Sequence, residues 1–214
     1  MKTGDNSNLI PKHGGYRKLK SFQVAQLTYD VTVWFCELFI EKRSRTKDQM
    51  VQAARSGVQN IAEGSQASAT SRKMELKLTQ VARASLEELK LDYEDYLRQN
   101  GLVELKPKNE ILVRFKELRC KTLEEVQDWV KRERELARNM GQTQTYTDEQ
   151  RHTDRHGQRV LSSACLAANA ALSLLNLACY LLDRQVQRLA KDFEEQGGFT
   201  ERLYRIRTQN RQKP

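Results

Sequence analysis

Proline and glycine are both scarce in this sequence, with 3 and 10 residues respectively among 214. This scarcity excludes collagen-like chains and low-complexity chains rich in proline and glycine. Aromatic residues are also few, at 7%, whereas 38% of residues are hydrophobic and 30% are charged. Such a composition is typical of a soluble, helix-rich protein with enough chain to bury a core. We therefore expect an all-α fold.

Cysteine and histidine do not occur at the spacings that metal sites or redox motifs require. No pair of cysteines forms a C-x-x-C motif, and His152 and His156 lie in a polar stretch without a third ligand. We predict no metal and no cofactor. The four cysteines are expected to be reduced core residues of a cytoplasmic protein: Cys36, Cys120, Cys165 and Cys179. The N-terminus has no signal-peptide pattern, so secretion is not expected.

Acidic residues are outnumbered by basic ones, 28 against 37, which gives a formal net charge of +9. A basic balance of this size favours a polyanionic partner such as nucleic acid.

The first hundred residues predict three helices after a mobile leader at residues 1–15. Residues 16–42 carry two apolar stripes at helical spacing. Either both stripes face one wide core, or one stripe serves an oligomer. The second helix is predicted to start near Thr46 or Lys47 and to end at Gly64, because glycine tolerates the positive φ of a helix C-terminus. Thr70 or Ser71 is expected to cap the third helix, which should end before Asn100 and Gly101.

The remaining sequence predicts an insertion, a fourth long helix and a basic suffix. Residues 102–141 read as a helical hairpin, in which Pro107 suits a first helical turn and Thr122 with Glu125 forms a capping box. Residues 142–157 are expected to be a mobile polar linker. The fourth helix should span residues 158–198, with Gly197 and Gly198 ending it, and residues 199–214 should form a short basic helix. Residues 160–182 carry no charge and could span a bilayer by length, but a central core helix has the same pattern and is preferred.

Basic residues suggest two nucleic-acid-binding surfaces. The first turns of the third helix hold Arg72, Lys73 and Lys77, where helix amides could join them around a phosphate; a solvated face is the alternative. Arg55 on the second helix extends this candidate surface. The suffix has the densest run of arginines, with Tyr204 among them: Arg202, Arg205, Arg207 and Arg211. This run suits phosphate contact and base stacking, and it suits a solubilising tail equally well.

Two segments resemble the signature of a family of small bacterial four-helix bundle proteins. The segments are SGVQNIAEGS, residues 56–65, and ARASLEEL, residues 82–89. The family includes proteins encoded in intervening sequences of ribosomal RNA genes and accessory variability proteins of diversity-generating retroelements. Ala84 stands where glycine is common, and the matching positions are Ser56, Asn60, Ile61, Ala62, Glu63, Gly64, Ala82, Ser85, Leu86, Glu88 and Leu89.

The resemblance implies an antiparallel four-helix bundle that assembles as a ring, commonly a homopentamer. In the retroelement branch such a bundle engages a reverse transcriptase and nucleic acid through a basic surface, and no enzymatic activity is implied. This sequence departs from the pattern at Gln52, where relatives often carry Arg, and at Arg55, where an apolar residue is usual.

The polar signature residues are expected to hold the second and third helices together by hydrogen bonds: Asn60, Glu63, Ser85 and Glu88. Glu63 and Glu88 could form a carboxylate pair, but no nucleophile or histidine accompanies them, so we do not expect an enzyme. The sequence thus predicts a non-catalytic, oligomeric bundle that binds nucleic acid, RNA more than DNA. The alternative is a protein-interaction subunit, for example of a reverse transcriptase. Neither function is expected to involve a membrane.

Overall fold

The computed structural model describes residues 15–139 and 161–197, together with Glu201, Leu203, Tyr204, Arg207 and Thr208. This part of the chain is all-helical, as the composition predicts, and contains no strand. A short 3-10 turn, Tyr16–Lys18, precedes six α-helices. They are α1 (Lys20–Phe39), α2 (Arg45–Ala67), α3 (Arg72–Gln99), α4 (Glu110–Leu118), α5 (Leu123–Asn139) and α6 (Ser163–Gln196). The predicted leader (residues 1–15, apart from Gly15) and the predicted linker lie outside the described residues.

Helix boundaries follow local capping chemistry in most places. The Ser71 hydroxyl accepts a hydrogen bond from the Met74 amide and begins α3, and Gly101 follows its end with φ of 62°. Thr122 and Glu125 start α5, with Glu125 Oε2 accepting from the Lys121 amide at 2.5 Å. Gly197 ends α6 with φ of 69°. The predicted caps of α3 and α5 and the predicted end of α6 are therefore confirmed.

Two predicted boundaries are wrong. Gly64 does not end α2, because the helix continues to Ala67. Instead, a Cβ at Gly64 would lie 3.3 Å from Leu78 Cβ, so the glycine allows α2 and α3 to approach closely. Pro107 lies in a turn before α4, and Asn109 caps that helix by accepting from the Ile111 amide.

The four longest helices contact one another in a closed order, α1 with α2, α2 with α3, α3 with α6 and α6 with α1. The start of α3 lies beside the end of α6, where Arg72 Nη1 donates to the Asp192 carbonyl at 3.2 Å. Just beyond the end of α3, Val103 lies beside the start of α6, where its carbonyl accepts from Asn169 Nδ2 at 2.9 Å. The helices α3 and α6 therefore run in opposite directions.

The core between these helices contains aromatic and aliphatic side chains with satisfied polar atoms. Tyr93 on α3 is fully buried and packs on Phe35 of α1, with ring centroids 4.9 Å apart. Its hydroxyl donates to Thr32 Oγ1 at 3.1 Å, so burial leaves no unpaired group on this side chain.

The segment between α3 and α6 forms a helical pair that packs on the rest of the molecule. Phe115 of α4 contacts Trp129 of α5, with ring centroids 4.7 Å apart. Arg114 donates twice to the buried carboxylate of Glu133, at 2.8 and 2.6 Å. Both helices contact α6, and α5 also contacts α1. The α4–α5 pair is thus part of one continuous core.

Candidate functional site

The signature residues lie where α2 and α3 pack together, but only some of them join the two helices. The Ser56 and Ser85 hydroxyls are 3.0 Å apart and form a hydrogen bond across the helix pair. Asn60 instead donates within α2, to the Ser56 carbonyl at 2.9 Å and the Ser56 hydroxyl at 3.1 Å. Glu63 and Glu88 are exposed. The prediction of a bond across the helices is therefore correct for Ser85 and wrong for Asn60, because that side chain reaches its own helix first.

A small polar groove lies beside this contact, with a volume of about 450 Å³. Ser56, Ser85 and Glu88 line it, but Glu63 does not, so the two signature carboxylates do not face a common cavity. Within the described residues, no cluster of three or more histidine, cysteine or carboxylate side chains could hold a metal ion. The groove thus offers hydrogen-bonding groups without a recognisable catalytic set.

The basic residues predicted to form one surface at the start of α3 have different surroundings in the fold. Arg72 is half-buried and its guanidinium contacts the end of α6, as described above. Glu75 lies nearby, and burial raises the pKa of its carboxyl while Arg72 opposes that rise. Lys73 and Lys77 are exposed, and neither forms an ion pair within the part of the chain that the structure describes. These two lysines are the groups available to an external anion.

Only some of the other predicted basic residues lie in the part of the chain that the structure describes. Arg55 is exposed on α2, and Arg207 is exposed in a helical conformation. Arg202, Arg205 and Arg211 lie outside the described residues. Tyr204, in the same segment, is 73% exposed. The contact between Arg72 and Asp192 brings the start of α3 to the end of α6, from which this segment continues.

A larger groove lies between α1, α4 and α6, and sequence reasoning did not predict it. Its volume is about 1100 Å³. The apolar lining includes Val24 and Leu27 of α1, Phe115 of α4, and Leu172, Leu177 and Leu181 of α6. We call it the α1/α4/α6 groove.

Charged side chains at the α1/α4/α6 groove are mostly basic. Four cations line it, against a single acid, Glu104: Lys20, Lys116, Arg119 and Lys121. A sequence signal for three of them exists, because residues 106–121 hold six basic and only two acidic residues. From the sequence alone this excess of basic residues does not indicate a groove, because only the fold places the segment beside the apolar faces of α1 and α6.

The cysteines show no sign of chemical activation. Burial raises the thiol pKa to about 12 in Cys36 and Cys179 and to about 11 in Cys165. Cys120 is half-buried at the edge of the α1/α4/α6 groove, and burial raises its pKa as well. All four thiols are free, and none is a low-pKa nucleophile.

The apolar helix α6 is long enough to cross a membrane by length and composition, with a mean hydropathy of 1.8 over its most apolar window. The structure buries 72% of that window against other helices of the chain. A core helix of a soluble protein satisfies both observations.

Comparison with protein-family models, curated proteins and solved structures finds no match. The resemblance to the bacterial four-helix bundle proteins therefore stays a prediction.

Proposed function

We propose that α1, α2, α3 and α6 form an antiparallel four-helix bundle, and that this bundle is a non-catalytic, oligomeric scaffold that binds nucleic acid, RNA more than DNA. The α4–α5 pair is then the hairpin inserted between the third and fourth bundle helices. The bundle helices would supply a rigid frame, and the basic residues on its surface would contact phosphates.

One observation carries the nucleic-acid part of the proposal. The hydrogen bond from Arg72 to the Asp192 carbonyl brings the start of α3 to the end of α6. Exposed Lys73 and Lys77 therefore lie at the end of the molecule from which the arginine-rich suffix continues. Residues 199–214 contain five basic residues and one acidic residue. Two basic segments that are far apart in sequence can thus contribute to one phosphate-binding surface.

Self-association is part of the same proposal. Leu38 on α1 and Leu91 on α3 are 61% and 60% exposed, and burying them between copies would remove apolar surface from water. We expect a homopentamer, whose mass measured by light scattering would be five times 24.9 kDa.

The test of nucleic-acid binding is a double charge reversal, Lys73→Glu with Lys77→Glu, in the full-length chain. Binding of a fluorescent single-stranded RNA should weaken by about tenfold or more, and the salt dependence should fall because each lost phosphate contact removes about 0.7 from its slope. The matched control is Lys131→Glu with Arg138→Glu, two exposed positions on α5 that receive the same charge change.

Equal loss in both variants would show a general effect of net charge and would contradict a defined surface. Binding that is insensitive to salt would contradict direct phosphate contact. That outcome would favour the alternative function, an accessory subunit, for example of a reverse transcriptase, that binds protein instead.

A further inference from the structure

The α1/α4/α6 groove has the length of a short helix. Along α6 its lining extends from Asn169 to Leu181. At 1.5 Å per residue this is about 18 Å, or a little more than three turns of an α-helix. The walls are α1 on one side and α4 with its flanking turns on the other.

The surface inside the groove is apolar and incompletely covered. Leu177 is 46% exposed, and Val24 and Leu181 are half-buried. Beside the groove, Tyr180 is 55% exposed on the same helix. Contiguous apolar surface of this kind on a folded chain marks a site of interaction.

The basic side chains around the groove lack acidic partners. Lys116 Nζ donates to the Pro107 carbonyl at 2.7 Å, and Lys20 Nζ donates to Gln23 Oε1 at 3.3 Å, so both contact neutral acceptors. No ion pair involves Arg119 or Lys121 within the described ranges 15–139 and 161–197. The groove is therefore complementary to a ligand with an apolar face and carboxylates beside it.

The backbone at Arg119 adopts an uncommon conformation beside the groove. Its φ of 49° lies in the left-handed region, at the C-cap of α4, where glycine is the residue without steric cost. Among the described residues it is the single non-glycine with positive φ. Arg119 thus ends α4 in a conformation that is uncommon for a residue other than glycine, and its cation lies at the edge of the apolar groove.

We propose that the α1/α4/α6 groove binds an acidic amphipathic helix of a partner protein. Apolar side chains at i, i+3, i+4 and i+7 of that helix enter the groove, and its flanking carboxylates contact Lys20, Lys116, Arg119 and Lys121. RNA fits this surface less well, because its apolar floor would desolvate the sugar and phosphate groups. This inference does not depend on the nucleic-acid proposal, which concerns a different anionic partner and other basic residues, Lys73 and Lys77.

The first experiment measures fluorescence anisotropy with designed helical peptides of about 18 residues, five turns, on the full-length protein. Two peptides share one leucine face, and their flanks carry either glutamate or lysine. The glutamate peptide should bind about tenfold or more tightly than the lysine peptide. The variant Lys116→Glu with Lys121→Glu should remove this preference, whereas Lys131→Glu with Arg138→Glu should keep it. Circular dichroism establishes that both variants are folded.

The second experiment uses Cys120 as a reporter of groove occupancy. Cys36, Cys165 and Cys179 are buried, so alkylation of the folded protein should occur first at Cys120. Saturating glutamate peptide should slow alkylation of Cys120 severalfold and leave the rate unchanged in the Lys116→Glu/Lys121→Glu variant.

Several results would overturn the proposal. Absence of glutamate-peptide binding, equal binding of the two peptides, or binding without protection of Cys120 would each do so. Protection by palmitate but not by the peptide would identify a pocket for a small anionic amphiphile. Protection of Cys120 by single-stranded RNA would identify a nucleic-acid site instead.

Discussion

Replacement of Gly57 by alanine tests the close approach of α2 and α3 directly. A Cβ at this position would lie 2.5 Å from Leu86 Cδ2 and 2.8 Å from Leu86 Cγ. Real Cβ atoms do not tolerate such distances, so Leu86 or the helix backbone has to move. Leu86 is fully buried, and the interior of a folded protein is closely packed, so its side chain can move only if its neighbours move as well.

The size of the effect follows from two opposing contributions. Alanine in place of glycine inside a helix gains about 1 kcal/mol of helix propensity. Overpacking of a dense core costs about 1–3 kcal/mol. We therefore expect Gly57→Ala to lower the free energy of unfolding by about 1 kcal/mol, although the same change in an exposed helix would raise it.

Gly64→Ala is the matched control on the same helix. Its Cβ would meet Leu78 Cβ at 3.3 Å and the Glu75 carbonyl at 3.4 Å, contacts that a shift of a few tenths of an ångström relieves. We expect its stability to lie between no change and a gain of about 1 kcal/mol. Urea unfolding followed by circular dichroism, with unchanged m-value, measures both variants.

A double-mutant cycle identifies Leu86 as the cause. Leu86→Ala alone should cost about 2–5 kcal/mol. Gly57→Ala added to it should restore stability, because the new methyl group enters the cavity and the propensity gain remains. The reasoning fails if Gly57→Ala is as stable as Gly64→Ala, or if it destabilises the Leu86→Ala background as much as the wild type.

Two further predictions concern backbone strain and charge. Arg119→Gly should raise the free energy of unfolding by about 0.5–1 kcal/mol, because glycine adopts the left-handed φ without strain. The same variant should bind the glutamate peptide more weakly. A variant that is less stable in urea unfolding would contradict the expected gain in stability. Burial, together with Glu88 and Asp95, raises the pKa of the Asp92 carboxyl above its ordinary value of 3.8. Protonated Asp92 therefore stabilises the fold. This contribution is complete below pH 3.8 and is lost as pH rises through the raised pKa. Asp92→Asn should therefore be more stable than the wild type at neutral pH and should lose this advantage below pH 3.8, and an advantage independent of pH would refute the assignment.

Local chemistry explains what the sequence could predict of the fold. Ser71 caps α3 and Thr122 caps α5 because an N-cap needs only its own residue and the amides two or three positions later. The all-helical class follows from helical periodicity and scarce proline. These features depend on residues near one another in the chain.

Features that depend on distant parts of the chain could not be predicted in the same way. Gly64 has the local context of a helix terminus, and only the approach of Leu78 shows that it serves helix packing. Arg72 has the pattern of a phosphate ligand, but a carbonyl of α6 takes its guanidinium. The α1/α4/α6 groove combines basic residues of the segment between α3 and α5 with apolar faces of α1 and α6, so its chemistry exists only after folding.

The hydrogen bonds of the Asn169 side-chain amide determine which nearby positions tolerate substitution. This buried amide accepts from the Leu105 amide at 2.7 Å and donates to the Val103 carbonyl at 2.9 Å, so both of its contacts with the connection after α3 are to main-chain atoms. Every amino acid except proline offers the same main-chain groups. Exposed positions of the connection, Glu104 and Lys106, can therefore carry new side chains and alter the wall of the groove, whereas Leu102 and Leu105 are buried in the core. Position 169 requires an amide, since a residue without one leaves the buried Leu105 amide unpaired.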